Sequence, residues 1–145
     1  PMTLVTGVID ALHELNAKKI VVGTPYLDEI NTVEAEFLVK KGFEVLDIQG
    51  LNLETGIEFG QVTPQYWKRF ALEIDCADAD AIFLSCGGIR SAEVAQEIEA
   101  VVGKPVITSN QAQMWSCLRR AGITDTIEGF GQIFSMPGAT LLPSP

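Results

Sequence analysis

Hydrophobic positions along the chain alternate between two spacings. From Thr3 to Leu15, apolar residues stand at Leu4, Val5, Val8, Ile9, Leu12 and Leu15, the spacing of a helix with one buried face. Lys18-Lys19-Ile20-Val21-Val22-Gly23 then reads as a short buried strand, broken by Thr24-Pro25-Tyr26. Leu27 to Lys41 returns to helical spacing through Leu27, Ile30, Val33, Phe37 and Leu38, and Gly42 stands where a glycine closes a helix. Phe43 to Ile48 is a second strand. The glycine-bearing connection from Gly50 to Val62 holds a short helix around Leu53 to Phe59. Thr63-Pro64 has the form of a helix cap followed by proline in the first turn, and that helix runs to about Ala77. A third strand ends at Ser85. The next helix, from Ser91 to Val102, is capped by Ser91 and closed by Gly103. A fourth strand lies within Lys104 to Thr108, and a last helix runs from Asn110 to Ala121, closed by Gly122.

One helix followed by four β–α units predicts an α/β fold: a single four-stranded parallel sheet, helices on both faces, right-handed crossovers. The strands are expected near residues 19–23, 43–48, 80–85 and 105–108. The chain has 145 residues, 47% of them hydrophobic, which suits one domain with a real core. No internal repeat or low-complexity segment divides it. The run from Ile123 is less regular, and its Pro-rich end, residues 135–145, is expected to be loose. Parallel sheets normally begin with a strand. A chain that opens on a helix is therefore expected to pack its first and last helices against something further.

A net charge of −9 argues against nucleic acid as a partner, because phosphate binding needs a basic face. No apolar run reaches about 18 residues, so no membrane span is expected. Cys76, Cys86 and Cys117 are odd in number and lack CxxC spacing, which suits a reducing, cytoplasmic compartment. The single histidine, His13, leaves little for a His-based triad or a multi-His zinc site, so no zinc site is expected. GxGxxG, GxxxxGK[ST] and GxSxG are all absent from the sequence.

Three strand ends converge on the carboxyl edge of such a sheet, where open α/β sheets bind ligands. Gly23-Thr24-Pro25-Tyr26 brings two hydroxyls. Ser85-Cys86-Gly87-Gly88 brings an ionisable sulfur and two glycines whose N–H groups can approach an anion closely. Thr108-Ser109-Asn110-Gln111 brings further hydroxyls and amides before a helix. Such an edge is rich in donors and suits a small carboxylate. Each run also has a plainer reading: a buried structural cysteine, or ordinary helix caps. Their convergence favours a site. Cys76 reads as core or helix flank, Cys117 as core beside Trp115 and Leu118, and His13 as solvated. Trp67, Phe70 and Trp115 read as core.

The runs Gly23 to Asn31, Ile82 to Gly88 and Gly103 to Trp115 occur in order. Together they resemble the aspartate/glutamate racemase superfamily, in its maleate cis–trans isomerase and arylmalonate decarboxylase branch, over residues 3–134. The resemblance implies a fold of two similar lobes with the active site between them. It places this chain as the second lobe, with the first lobe absent. It implies that Cys86 donates or accepts a proton at a substrate carbon and that Tyr26 hydrogen-bonds a substrate carboxylate. The backbone around Cys86, Gly87 and Gly88 would form the anion cradle, with Thr24, Asn31, Ser85, Ser109 and Asn110 contributing to substrate binding. Cys86-Gly87-Gly88 is similar to the decarboxylases, whereas Ser109-Asn110-Gln111-Ala112 is similar to the isomerases. The implied activity is a cofactor-independent isomerase, racemase or decarboxylase acting α to a carboxylate of a small dicarboxylate. The alternative is a non-catalytic lobe that binds a small carboxylate or another chain. Self-association, or pairing with another lobe, is expected through the first helix (Leu4, Val5, Val8, Ile9, Leu12) and a surface around Trp115, Ile127, Phe130 and Phe134.

Overall fold

The computed structural model describes residues 2–141. Four strands, β1 (Lys19–Thr24), β2 (Glu44–Gly50), β3 (Ala81–Leu84) and β4 (Val106–Thr108), form one sheet in the order β2-β1-β3-β4. Every pairing is parallel, with Gly23 opposite Leu84 and Leu84 opposite Thr108. The helices are α1 (Leu4–Glu14), α2 (Asp28–Lys40), α3 (Gly56–Gln61), α4 (Pro64–Ile74), α5 (Ala95–Val102) and α6 (Ser109–Arg120). Among the described residues no helix is long and apolar enough to cross a membrane.

Alternate strand residues feed two cores. Val22, Phe83 and Ile107 pack beneath α1, α2 and α6, with Val8, Leu12, Leu38 and Trp115. Val21, Ile82, Leu84 and Val106 pack beneath α4 and α5, with Trp67, Phe70, Ile74 and Ile98. The path from β1 to β2 covers one face and the path from β3 to β4 the other. The chain thus leaves β1 and β3 in opposite directions. The carboxyl ends of these neighbours form the switch point at which open sheets hold ligands.

Local chemistry explains most boundaries. Thr3 caps α1 in a reciprocal box with Thr6, and Thr63 caps α4 ahead of Pro64. Thr108 caps α6 by accepting from the Gln111 N–H, so that helix begins at Ser109. Gly42, Gly103 and Gly122 take positive φ just past their helices.

Several expectations change. Helix α4 ends at Ile74, not near Ala77. Asp75 leaves the helix with ψ 144° and pairs with Lys104 at 2.8 Å. Cys76 therefore lies beyond the helix and is exposed. Cys117 is exposed too, because the inner face of α6 is taken by Ala112, Trp115, Ser116 and Arg119. Ser91 makes no side-chain cap: a 3₁₀ turn at Ala92–Val94 precedes α5. Val8, Leu12, Trp115 and Phe134 are buried within the chain and offer no outer surface. Residues 135–141 are tied down rather than loose. The Met136 carbonyl accepts from Trp115 Nε1 at 3.1 Å, and the Gly138 N–H donates to Glu14 at 3.0 Å. Residues 142–145 lie outside the described residues.

Candidate functional site

At the β1/β3 switch point the chain makes an unusual turn. Cys86 follows β3 with φ +147°, a conformation that L-residues rarely adopt. Holding a cysteine there costs on the order of 1–3 kcal/mol. Its neighbours fix it. The Cys86 N–H donates to Ser109 Oγ at 3.1 Å, and the Gly88 N–H donates to Cys86 Sγ at 3.2 Å. Asn110 Nδ2 donates to the Gly87 carbonyl at 3.0 Å, so the start of α6 clamps both sides of the cysteine. A Cβ on Gly87 would lie 3.0 Å from Leu4 Cδ1, tighter than nearly all real contacts, so α1 passes close over this turn.

The sulfur faces a pocket of about 340 Å³ between α1 and α2. Tyr26, Ser85, Cys86, Gly87 and Ser109 line its polar end. Leu4, Val5, Ile9, Ile30, Val33 and Phe37 line the rest. Cys86 is 8% exposed. Tyr26 has its phenol pushed above the ordinary tyrosine range, first by burial and then by Cys86 and Glu34 beside it. It is therefore a neutral hydroxyl, able to donate to an oxyanion. Burial also raises the Glu34 carboxyl, against a lowering by the Ser85 hydroxyl.

The remaining residues expected in the site play a different part. Thr24 Oγ1 donates to Asn31 Oδ1 at 2.5 Å and accepts from the Tyr26 N–H at 3.1 Å. Thr24 and Asn31 are both buried and do not line the pocket; they brace the turn that presents Tyr26. Asn110 is likewise turned to the Gly87 backbone, and the Gly88 N–H is directed at the sulfur. The helix start expected at Ser91, just after the Cys86 turn, is replaced by the 3₁₀ turn Ala92–Val94. The helix start that reaches Cys86 belongs to α6. A sulfur fixed by an N–H, beside a neutral phenol in an apolar pocket, can exchange a proton with a carbon whose carboxylate those donors hold.

The family model for arylmalonate decarboxylase matches residues 1–134. The chain belongs to the arylmalonate decarboxylase family. It is 28% identical to the arylmalonate decarboxylase of Bordetella bronchiseptica, over 91% of this chain and 56% of that enzyme. It is 25% identical to a maleate isomerase of Pseudomonas putida, over 92% of this chain and 54% of that one. Among solved structures, arylmalonate decarboxylase superposes with TM-score 0.83 at 27% identity, covering 91% of this chain and 59% of that one. The maleate isomerase Iso of Pseudomonas putida S16 gives TM-score 0.89 at 25% identity, covering 92% and 54%. This family member thus spans a little over half the length of the curated relatives it matches.

Glu34 is the pocket residue that sequence reasoning missed. Its signal was present: it stands one turn from Ile30 and beside Val33 on the face of α2 assigned to apolar packing.

Proposed function

We propose that Cys86 is the acid/base residue of a cofactor-independent isomerase or decarboxylase that works α to a carboxylate of a small dicarboxylate. The carrying observation is the strained Cys86, its sulfur held by the Gly88 N–H in the pocket that Tyr26 shares. In this reading a substrate carboxylate is held by the Tyr26 hydroxyl and by the Gly87 N–H, since the Ser85, Cys86 and Gly88 N–H groups donate to Gly23, Ser109 and the sulfur. Loss of carbon dioxide from a malonate-type substrate, or of a proton from a saturated α-carbon, leaves an electron pair on that carbon. That pair delocalises into the held carboxylate as an enediolate, which the donors stabilise. The Cys86 thiol then supplies the proton that closes the reaction. Thr24, Asn31, Ser109 and Asn110 support this by positioning Tyr26 and Cys86.

The pocket is open along Val5, Ile30 and Val33, exposed by 44%, 48% and 66%. In our reading the chain works as one lobe, and another lobe or a second copy supplies the opposite face. The test is turnover of phenylmalonate in D₂O, followed by proton NMR, with the chain alone and joined to the other lobe of a relative. The joined form should incorporate deuterium at the carbon that loses carbon dioxide, and Cys86→Ala should slow it by roughly 10²-fold or more. The chain alone should be weak or inactive. Undiminished turnover by the Cys86→Ala form would overturn the assignment.

A further inference from the structure

Among the described residues, the lining of the Cys86 pocket holds one carboxyl, that of Glu34, and no Lys, Arg or His side chain. The basic side chain close by is Lys41, which lines the adjacent groove instead, its ammonium 5.5 Å from the centroid of the Phe37 ring. Glu34 lies between two different surroundings. On one side are Tyr26 and the Ser85 hydroxyl. On the other is the apolar wall of Val5, Ile9, Ile30 and Val33. A ligand that places a carboxylate at the Cys86 turn must extend its other end along this wall, past Glu34.

We propose that Glu34 sets the charge selectivity of the pocket: it disfavours a second ionised carboxylate on the α1–α2 wall and favours an arm that is apolar or donates a hydrogen bond. The proposal rests on the reading that substrate is held at the Cys86 turn, and it narrows the substrate class. Of two carboxylates, one sits at the turn and the other points away from α2. A flat apolar group suits the wall. An extended diacid that runs one carboxylate along this wall past Glu34 does not, because among the described residues no basic side chain lines the wall to offset the repulsion. Glu34 is a specificity residue in this scheme and moves no proton.

Thiol alkylation tests this without knowledge of the substrate. Iodoacetate and iodoacetamide attack the same sulfur and differ in charge, so their rate ratio at Cys86 reports the pocket's field. Cys76 and Cys117, both exposed, serve as references in the same molecule when the rates are read peptide by peptide by mass spectrometry. At pH 8 the native chain should show an iodoacetate-to-iodoacetamide ratio at Cys86 well below that at Cys117. Glu34→Gln should raise the Cys86 ratio by roughly fivefold to tenfold, as expected for removal of one nearby unit charge at a partly buried site, and leave the reference ratios unchanged. Lowering the pH should raise the native ratio towards that of Glu34→Gln, as the carboxyl protonates. Tyr26 and Cys86 are the other titratable groups on this pocket, and both are unchanged in the variant. A Glu34→Gln ratio within twofold of native overturns the charge selectivity while leaving the role of Cys86 standing. A Cys86 inert to both reagents, with the references reacting, removes the accessible sulfur and overturns both.

Discussion

Each charged or strained side chain at the Cys86 turn is held by groups distant in sequence, and the cost of holding them is measurable. Glu34 illustrates this. Burial raises its pKa above the ordinary 4.5, so the folded chain binds its proton more tightly than the unfolded chain does. From about 4.5 up to the raised value the fold carries more bound protons than the unfolded state. The contribution of Glu34 to stability therefore falls as pH rises through that window. Glu34→Gln removes the titration. In urea unfolding, the stability of Glu34→Gln relative to native should grow between pH 4 and pH 8. Glu99, also raised by burial, is common to both proteins and cancels. A stability difference that stays flat across that range would show that Glu34 is solvated in the fold. The sequence displayed Cys86, Tyr26 and Ser109 as candidates because strand ends and glycines flag them. Glu34 was passed over despite its spacing from Ile30, because one acid among the four of α2 reads as part of a solvent-facing charged surface until a second helix closes over it.

Elements were legible in the hydrophobic pattern because four apolar strands and their closing glycines punctuate it strongly. Sheet order was not, since pairing of β1 with β3 rests on contacts some 60 residues apart. Nor was the partner of α1. Its buried stripe announced a helix but said nothing of Gly7, the position where it meets α6. A Cβ on Gly7 would lie 2.7 Å from Gln113 Cα and 3.0 Å from the Ala112 carbonyl oxygen, and backbone atoms cannot move aside cheaply. Glycine in a helix interior ordinarily costs about 1 kcal/mol relative to alanine. Here the sign should reverse: Gly7→Ala should destabilise, by roughly 1–3 kcal/mol, the usual penalty for overpacking. Gly60 in α3 is the control, because a Cβ there meets nothing nearer than 3.9 Å. Gly60→Ala should be neutral or stabilising in the same denaturation assay. Equal effects at both positions would mean that α1 and α6 separate easily. Ser109 and Leu4, carried by those two helices, would then hold the Cys86 turn less firmly than the geometry indicates.

Across the whole molecule, the closing segment and the candidate site are linked through α6. Arg119 is fully buried and donates to three backbone carbonyls: Met136 at 2.9 Å, Ile123 at 2.8 Å and Phe134 at 2.9 Å. These bonds draw residues 123–136 against the helix whose first residue, Ser109, receives the Cys86 N–H. Gln111 adds a bond to the Phe130 carbonyl, and Gln96 and Glu99 accept N–H groups of Gly129 and Gln132. Composition suggested an irregular tail because glycine and proline are frequent there. It could not reveal that one arginine supplies the donors those carbonyls need. Arg119→Met keeps an apolar stem and removes the guanidinium, leaving the buried Phe134 carbonyl without its donor at roughly 1–3 kcal/mol where water cannot reach it, while Met136 keeps only Trp115 Nε1. The variant should therefore unfold at clearly lower urea concentration. Under native conditions, limited proteolysis should cut it between residues 123 and 136 well before the rest of the chain. A variant that is destabilised yet cut no faster in that segment would mean that the tail is held by Phe134 and Ile133 packing alone. Reactivity of Cys86 gives the functional readout: alkylation of Cys86 should change in Arg119→Met while that of Cys76, exposed beyond the end of α4, stays as in the native chain.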